Sequence, residues 1–413
     1  MSGAYSNRAL RHIIPRMRIR SLHLADYRNF GRLDVDLADG VSIFVGDNAQ
    51  GKSNLLEAVY LLATMRGLRA ETDAQLIRRE SLGGVLPAAR VVAEAETREG
   101  ALKLEVTVVG RPGPQGPIGT KTVKVNGVAK RISDAVGRLT AVLFTADDLE
   151  LTTGSPSGRR RFLDIALAQI EPAYSAARSR FERVLLQRNH LLKRIREGEA
   201  KADELAFWDE ELVKDGAFIL QRRAAALEEL SAIAFDIHSH LSHGDTLGVR
   251  YQPRLDGEPL DLAVATVADA ASAYASALRR SLGRDIPAGM TLQGPHRDDV
   301  LVNLNGLAAA GYASRAQLRT IALALRLAEA RLLTARRGEP PVLLLDDILS
   351  EMDAGRRESV LASVADTEQI LVTGTDWDRF TPEFRADAAL FDVGAGSLRP
   401  LVTDLPGQRT EDS

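Results

Sequence analysis

The chain has 413 residues, 45% of them hydrophobic and 26% charged, the proportions of a packed globular protein, which excludes collagen-like and disordered classes. Its 53 Lys and Arg almost balance 56 Asp and Glu, leaving a formal charge of −3, although eight Lys leave 45 of those cations as Arg. Cysteine is absent, which rules out disulfide scaffolds, thiolate zinc sites and cysteine nucleophiles and suits a reducing cytoplasmic setting. No run approaches the ~18 apolar residues of a membrane span, so no membrane partner is expected.

Residues 1–16 carry Arg8, Arg11 and Arg16 around only Ile13 and Ile14, which is no secretory signal; a disordered extension is expected there. From Met17 to Val45 the pattern is that of strands, with Leu33, Val35 and Leu37 at period two and then the continuous run Val41 to Val45. A Gly-rich turn follows, and Asn54 to Met65 has the all-round apolar character of a helix packed against a sheet. Residues 88–125 alternate as antiparallel strands, interrupted by the Pro/Gly cluster of residues 111–120, which reads as a hairpin tip. From Ser157 to about Ser242 the period is helical, predicting a helical hairpin or small bundle, and a further helix is expected over 262–282. Val300 to Leu304 returns to strand character before Asn305-Gly306, a hairpin-turn dipeptide. Strand and helix alternate in the final section.

The most informative string is Gly46-Asp47-Asn48-Ala49-Gln50-Gly51-Lys52-Ser53, which fits G-x-x-x-x-G-K-[ST] between a hydrophobic strand and a helix. There the backbone N–H groups of the turn and the N-terminus of the Asn54 helix would cradle a β-phosphate. Lys52 would bridge the β- and γ-phosphates of ATP, and the Ser53 hydroxyl would ligate Mg²⁺. The partner carboxylate is expected at the end of a buried strand, and Val342 to Leu345 followed by Asp346-Asp347 is such a strand. Asp346 is assigned to Mg²⁺ and Asp347 to the attacking water.

Asp346 lies 294 residues beyond Lys52, far more than nucleotide kinases or GTPases place between these elements, so a large insertion must loop out and return. In ATPases of the ABC type such an insertion carries a signature helix that meets the γ-phosphate of a partner's ATP. Ser314-Arg315-Ala316-Gln317, at the start of a strongly helical stretch, is the matching candidate, with Ser314 placed as an N-cap.

Several strings in order resemble the RecF family of bacterial DNA repair proteins, relatives of the SMC heads. They are Asp26 to Phe30, the loop at 46–54, Phe144 to Leu149, GSPSGRRRFLD at 154–164, GPHRDD at 294–299, the signature segment and LLLDDILSEMD at 343–353. The resemblance implies an α/β fold: an ABC/SMC-type ATPase head, with a mixed P-loop sheet and an antiparallel β subdomain, plus an inserted helical domain. The expected boundaries are 17–156 with 287–413 for the head and 157–286 for the insert. It implies an ATP-gated homodimer on double-stranded, gapped or junction DNA, acting with RecO and RecR to support RecA loading in the DNA-damage response. By the same resemblance Gly46 to Asn54, with Arg28 and Asn29, contact ATP, Ser314 to Gln317 act in trans, and Ser350, Glu351 and Asp353 form a loop across the dimer interface. Another SMC-like or a transporter-type ABC ATPase is the alternative.

Ala316 stands where the family usually has Gly, adding a Cβ where the partner's phosphate should approach. The strand Ile370 to Val372 ends in Thr373, where transporters have a sensor His, and Asp347 is shorter than their Glu; both point to a slow ATPase used as a switch. Arg159-Arg160-Arg161 reads equally as a phosphate contact or a solvated first turn. His296 and Arg297 read as structural or interface residues, with a metal set of His296, Asp298 and Asp299 open on residue type alone.

Overall fold

A computed structural model of the chain describes residues 17–84, 86–113, 116–242, 244–348 and 367–401. The expected N-terminal extension and the loop residues Ser350, Glu351 and Asp353 lie outside the described residues. Contacts divide the chain into two compact units, Met1–Ala146 with Glu339–Ser413, and Asp147–Gly338.

The first unit holds two six-stranded sheets. One is antiparallel, built from β1 (Arg18–Tyr27), β2 (Phe30–Asp36), β4 (Ala88–Thr97), β5 (Gly100–Arg111), β6 (Ile118–Val125) and β7 (Val128–Lys130) in the order β2-β1-β4-β5-β6-β7. Its period-two residues Leu33, Val35, Leu102, Leu104, Val106 and Val108 are all buried. The other is mixed: β3 (Gly40–Val45), β8 (Ala141–Thr145), β12 (Val342–Asp346), β13 (Gln369–Gly374), β14 (Ala388–Gly394) and β15 (Ser397–Leu401) run in the order β15-β14-β3-β13-β12-β8. Only the β14–β15 pair is antiparallel. The parallel strands β8, β12 and β13 are buried along their whole length, as continuous apolar runs require.

Helix α1 (Lys52–Thr64) contacts β8, β12 and β13 of the mixed sheet and β4 and β5 of the antiparallel one. Enclosure by two sheets explains why eleven of its thirteen residues are buried and why its sequence carries no polar stripe. Gln369 ties the two sheets at one end: its amide accepts from Ile19 N–H at 2.8 Å and donates to the carbonyls of Ile19 and Ala38.

The second unit is built on α2 (Pro156–Ile170), α3 (Pro172–Arg196), α4 (Leu205–Leu241), α5 (Val267–Ala288) and α6 (Arg315–Arg337), with a small antiparallel sheet of β9 (Leu247–Gln252), β10 (Asp299–Leu304) and β11 (Leu307–Ala308). Helices α3 and α4 form the expected hairpin, and the 37 residues of α4 extend about 55 Å. Asn305 and Gly306 both take positive φ in the β10–β11 turn, as that dipeptide predicts.

The contact boundaries fall at 146/147 and 338/339, not at the expected 156/157 and 286/287. Residues 287–338 belong with the helices because β10 pairs along its length with β9 and α6 lies against α4. A strand's partner is a long-range property that chain order does not reveal.

Candidate nucleotide site

The tight loop between β3 and α1 depends on its glycines. A Cβ on Gly46 would strike the Val393 carbonyl of β14, and Gly51, at φ 117, leaves no room for one beside Asn29 and Phe30. Ala49 also takes a left-handed conformation, φ 66. The rim is pinned from the side: Asn29 Nδ2 donates to the Gln50 carbonyl at 2.9 Å, Gly396 N–H donates to the same oxygen, and Ala395 N–H donates to Gln50 Oε1 at 2.6 Å. Asn54 Nδ2 donates to Asn29 Oδ1 at 2.8 Å. Asn29 and Gln50 therefore shape the loop, while the first turn of α1 carries no acid to oppose an anion at its N-terminus.

Lys52 is buried with its ammonium on the carbonyls of Gly46 at 2.5 Å and Asp47 at 2.8 Å. Burial lowers its pKa, against the opposing charges of Asp347, Asp346 and Asp47. Ser53 Oγ donates to Asp346 Oδ1 at 2.8 Å, joining the loop to the end of β12. Two hard oxygen donors thus stand together, a donor chemistry that fits Mg²⁺.

Thr373 at the end of β13 completes the set, because parallel pairing places it opposite Asp346. Its hydroxyl donates to Asp346 Oδ1 at 3.0 Å and accepts from Asp347 N–H at 3.0 Å. Asp347 sits in a left-handed conformation, φ 53, directly after the strand. Burial raises the Asp346 pKa, opposed by the hydrogen bonds from Ser53 and Thr373 and by the charge of Arg69. Sequence reasoning read Thr373 only as a missing histidine and did not single out Arg69. The available signal for Thr373 was a polar residue ending a fully apolar strand.

Arg28 makes a bidentate pair with the buried Glu57 of α1, at 2.8 and 2.7 Å, and donates to the Gln75 carbonyl. Glu57 also accepts from the N–H groups of Leu68 and Arg69, so the pair braces the loop after α1.

In the second unit, Ser314 caps α6 within a capping box: its Oγ accepts from Gln317 N–H and its own N–H donates to Gln317 Oε1. Arg315 and Ala316 occupy the exposed first turn, and Ala316 is not among the residues with positive φ, so its backbone does not demand glycine. The strings at 154–164 and 294–299 meet through ion pairs. Arg159 is bidentate on Asp299 at 2.7 and 2.9 Å, and Arg160 donates to the Asp298 carbonyl. Arg223 links Asp164, Asp298 and the Pro295 carbonyl in the interior, where Tyr251 also bonds Asp298. Arg159 and Arg160 are thus structural ties. His296 donates through Nε2 to the Thr291 carbonyl at 2.9 Å, and no group of three metal-ligating side chains occurs among the described residues.

The RecF/RecN/SMC N-terminal domain family matches residues 18–382. A curated relative from Roseiflexus castenholzii, "DNA replication and repair protein RecF", is 41% identical over 93% of this chain and 100% of its own length. The chain belongs to the RecF family. A solved structure described as the recombination mediator protein RecF-ATP in the RecFOR pathway is 28% identical, with a TM-score of 0.83 over 95% of this chain and 99% of that one. The Smc head domain of Pyrococcus furiosus shares the fold at 15% identity and a TM-score of 0.50. The ABC/SMC-type head with its helical addition is therefore the fold of this RecF-family chain, and of the alternatives left open by motif spacing the RecF branch is the one it occupies. No described helix is long and apolar enough to cross a membrane.

Proposed function

We propose that the chain is an ATP-dependent DNA-binding protein of recombinational repair and replication, in which ATP drives homodimerisation on double-stranded or gapped DNA and slow hydrolysis resets the clamp. The observation that carries this reading is the convergence of Lys52 and Ser53 with Asp346, Asp347 and Thr373 in a chain whose relatives include RecF proteins solved with ATP. The loop N–H groups and the N-terminus of α1 receive the phosphates. Lys52 leaves the carbonyls of Gly46 and Asp47 for the β- and γ-phosphates. Ser53 and Asp346 hold Mg²⁺, which when bound neutralises charge on the phosphate oxygens. Asp347 orients the attacking water, and Thr373 fixes both carboxylates. A neutral threonine brings no cation to the transition state, consistent with a timed switch.

Ser314 to Gln317 engage the ATP of a second copy. Duplex phosphates meet α3, which carries six Arg and one Lys against one Glu and exposes Arg183, Lys193 and Arg194. RecO and RecR are partners in supporting RecA loading, in the cytoplasm. Lys52→Arg keeps the charge but not the reach of the ammonium, so ATP still raises the melting temperature while hydrolysis is lost. Hydrolysis by this variant at the wild-type rate removes Lys52 from the chemistry.

A further inference from the structure

The signature segment is not self-supporting. Its capping box depends on which way the Gln317 amide faces, since only Oε1 can accept from Ser314 N–H. The other end of that amide settles the matter: Gln317 Nε2 donates to Asp245 Oδ2 at 2.8 Å. Asp245 lies in the connection between α4 and β9, and its second oxygen accepts from Asn305 Nδ2 at 2.8 Å. Those two amide hydrogen bonds, first Asn305 and then Gln317, hold the carboxyl below the usual aspartate range, so it is a carboxylate at neutral pH and an acceptor only. A flipped Gln317 would set its oxygen against that carboxylate.

Asp245 is itself fixed from both sides. Asn305, in the left-handed first position of the β10–β11 turn, accepts from Thr246 N–H at 2.8 Å and donates its own N–H to the Thr246 carbonyl at 2.9 Å. The Ser242 hydroxyl stands 3.3 Å from both the Asp245 carbonyl and His238 Nδ1, in the last turn of α4. A continuous set of contacts therefore runs from the end of α4 through Asp245 and Gln317 to Ser314.

We propose that Asp245 is a positioning residue for the signature segment: by dictating the orientation of Gln317 it presents Ser314 to the nucleotide of a second copy and so sets the affinity of the ATP-driven dimer. The proposal rests on the reading that Ser314 to Gln317 act in dimerisation. Asp245 touches no nucleotide. It acts only through Gln317, and that gives it a signature that a general stabilising role lacks.

The test is sedimentation of the full chain with a slowly hydrolysed ATP analogue, for wild type, Asp245→Ala, Asp245→Asn, Gln317→Ala and the double variant Asp245→Ala/Gln317→Ala. Asp245→Ala is expected to weaken the dimer about tenfold, as loss of the one charge-assisted hydrogen bond that orients Gln317 should. Asp245→Asn, which keeps one acceptor, falls between it and wild type. Monomer ATP affinity, read by thermal shift, stays unchanged in both Asp245 variants. In the Gln317→Ala background Asp245→Ala has no further effect, because the residue through which it acts is gone. Additive losses in the double variant, or wild-type dimer affinity in both Asp245 variants, overturn the proposal. A wild-type chain that stays monomeric with the analogue overturns the underlying reading of the signature segment instead.

Discussion

Replacing Thr373 by Val keeps the shape of a fully buried side chain and removes a single hydroxyl, which makes it the cleanest perturbation of the nucleotide site. That hydroxyl serves both aspartates, donating to Asp346 Oδ1 and accepting from Asp347 N–H, each at 3.0 Å. A hydrogen bond to a charged group is worth about 1.5–3 kcal/mol, and an N–H left without its acceptor adds to the loss. If the hydroxyl acts on the chemistry, that energy appears as roughly a 10- to 100-fold fall in hydrolysis, at about 1.4 kcal/mol per decade. Nucleotide binding, which the proposed function places on the loop and Lys52, should hold within about threefold. Burial already raises the Asp346 pKa, and Thr373 is one of the groups opposing that rise. The sign follows: activity needs the carboxylate and is lost as pH falls through its pKa, so the acidic limb of the rate profile moves to higher pH in Thr373→Val. Single-turnover hydrolysis of ATP across pH 5–8, with Thr373→Ser as the variant expected to recover the rate, reads both effects. Wild-type rates and an unmoved acidic limb in Thr373→Val would refute the assignment.

Burial pushes the His296 imidazole down to about 4, from an ordinary value of about 6.5. Between those values the unfolded chain binds a proton that the folded chain does not, so stability is full above about pH 6.5 and declines as pH falls toward 4. At pH 5 the linkage amounts to about 2 kcal/mol. His296→Gln, which can still donate to the Thr291 carbonyl, should lose that much less than wild type between pH 7.5 and 5 in urea unfolding, and equal losses would count against a neutral buried histidine. Exchanging Arg183, Lys193 and Arg194 for Gln should reduce the slope of log affinity against log salt for duplex DNA by about 0.9 for each cation that meets a phosphate. An unchanged slope removes α3 from the DNA surface.

The parts legible in the sequence were those fixed by short-range chemistry. The tight turn at Gly46 and Gly51, the buried strand ending in Asp346 and the Asn305-Gly306 turn were legible because a strand or turn needs those residue types at that spacing. The burial of α1 was legible from its lack of a polar stripe, although the expectation was of one sheet and the structure places two against it. Pairings between distant segments were not. Nothing near Thr373 announces that β13 lies beside β12, and only that neighbourhood gives its hydroxyl two aspartates to serve. Likewise the arginines at 159 and 160 looked available for phosphate until Asp298 and Asp299 were brought against them. Charge behaved in the same way. Helix α3 is strongly basic while α4 carries more acid than base, so opposite charges nearly cancel along the helical hairpin and the overall −3 conceals a basic helix.

The central claim is that ATP gates the hold on DNA. Titration of one duplex at fixed salt, with and without ATP and Mg²⁺, tests it most directly by gel shift. Tighter binding with ATP is expected, abolished when Ser314 is replaced by Arg so that the signature segment no longer fits a partner's phosphate; equal affinity with and without ATP would show that the nucleotide does not gate DNA binding.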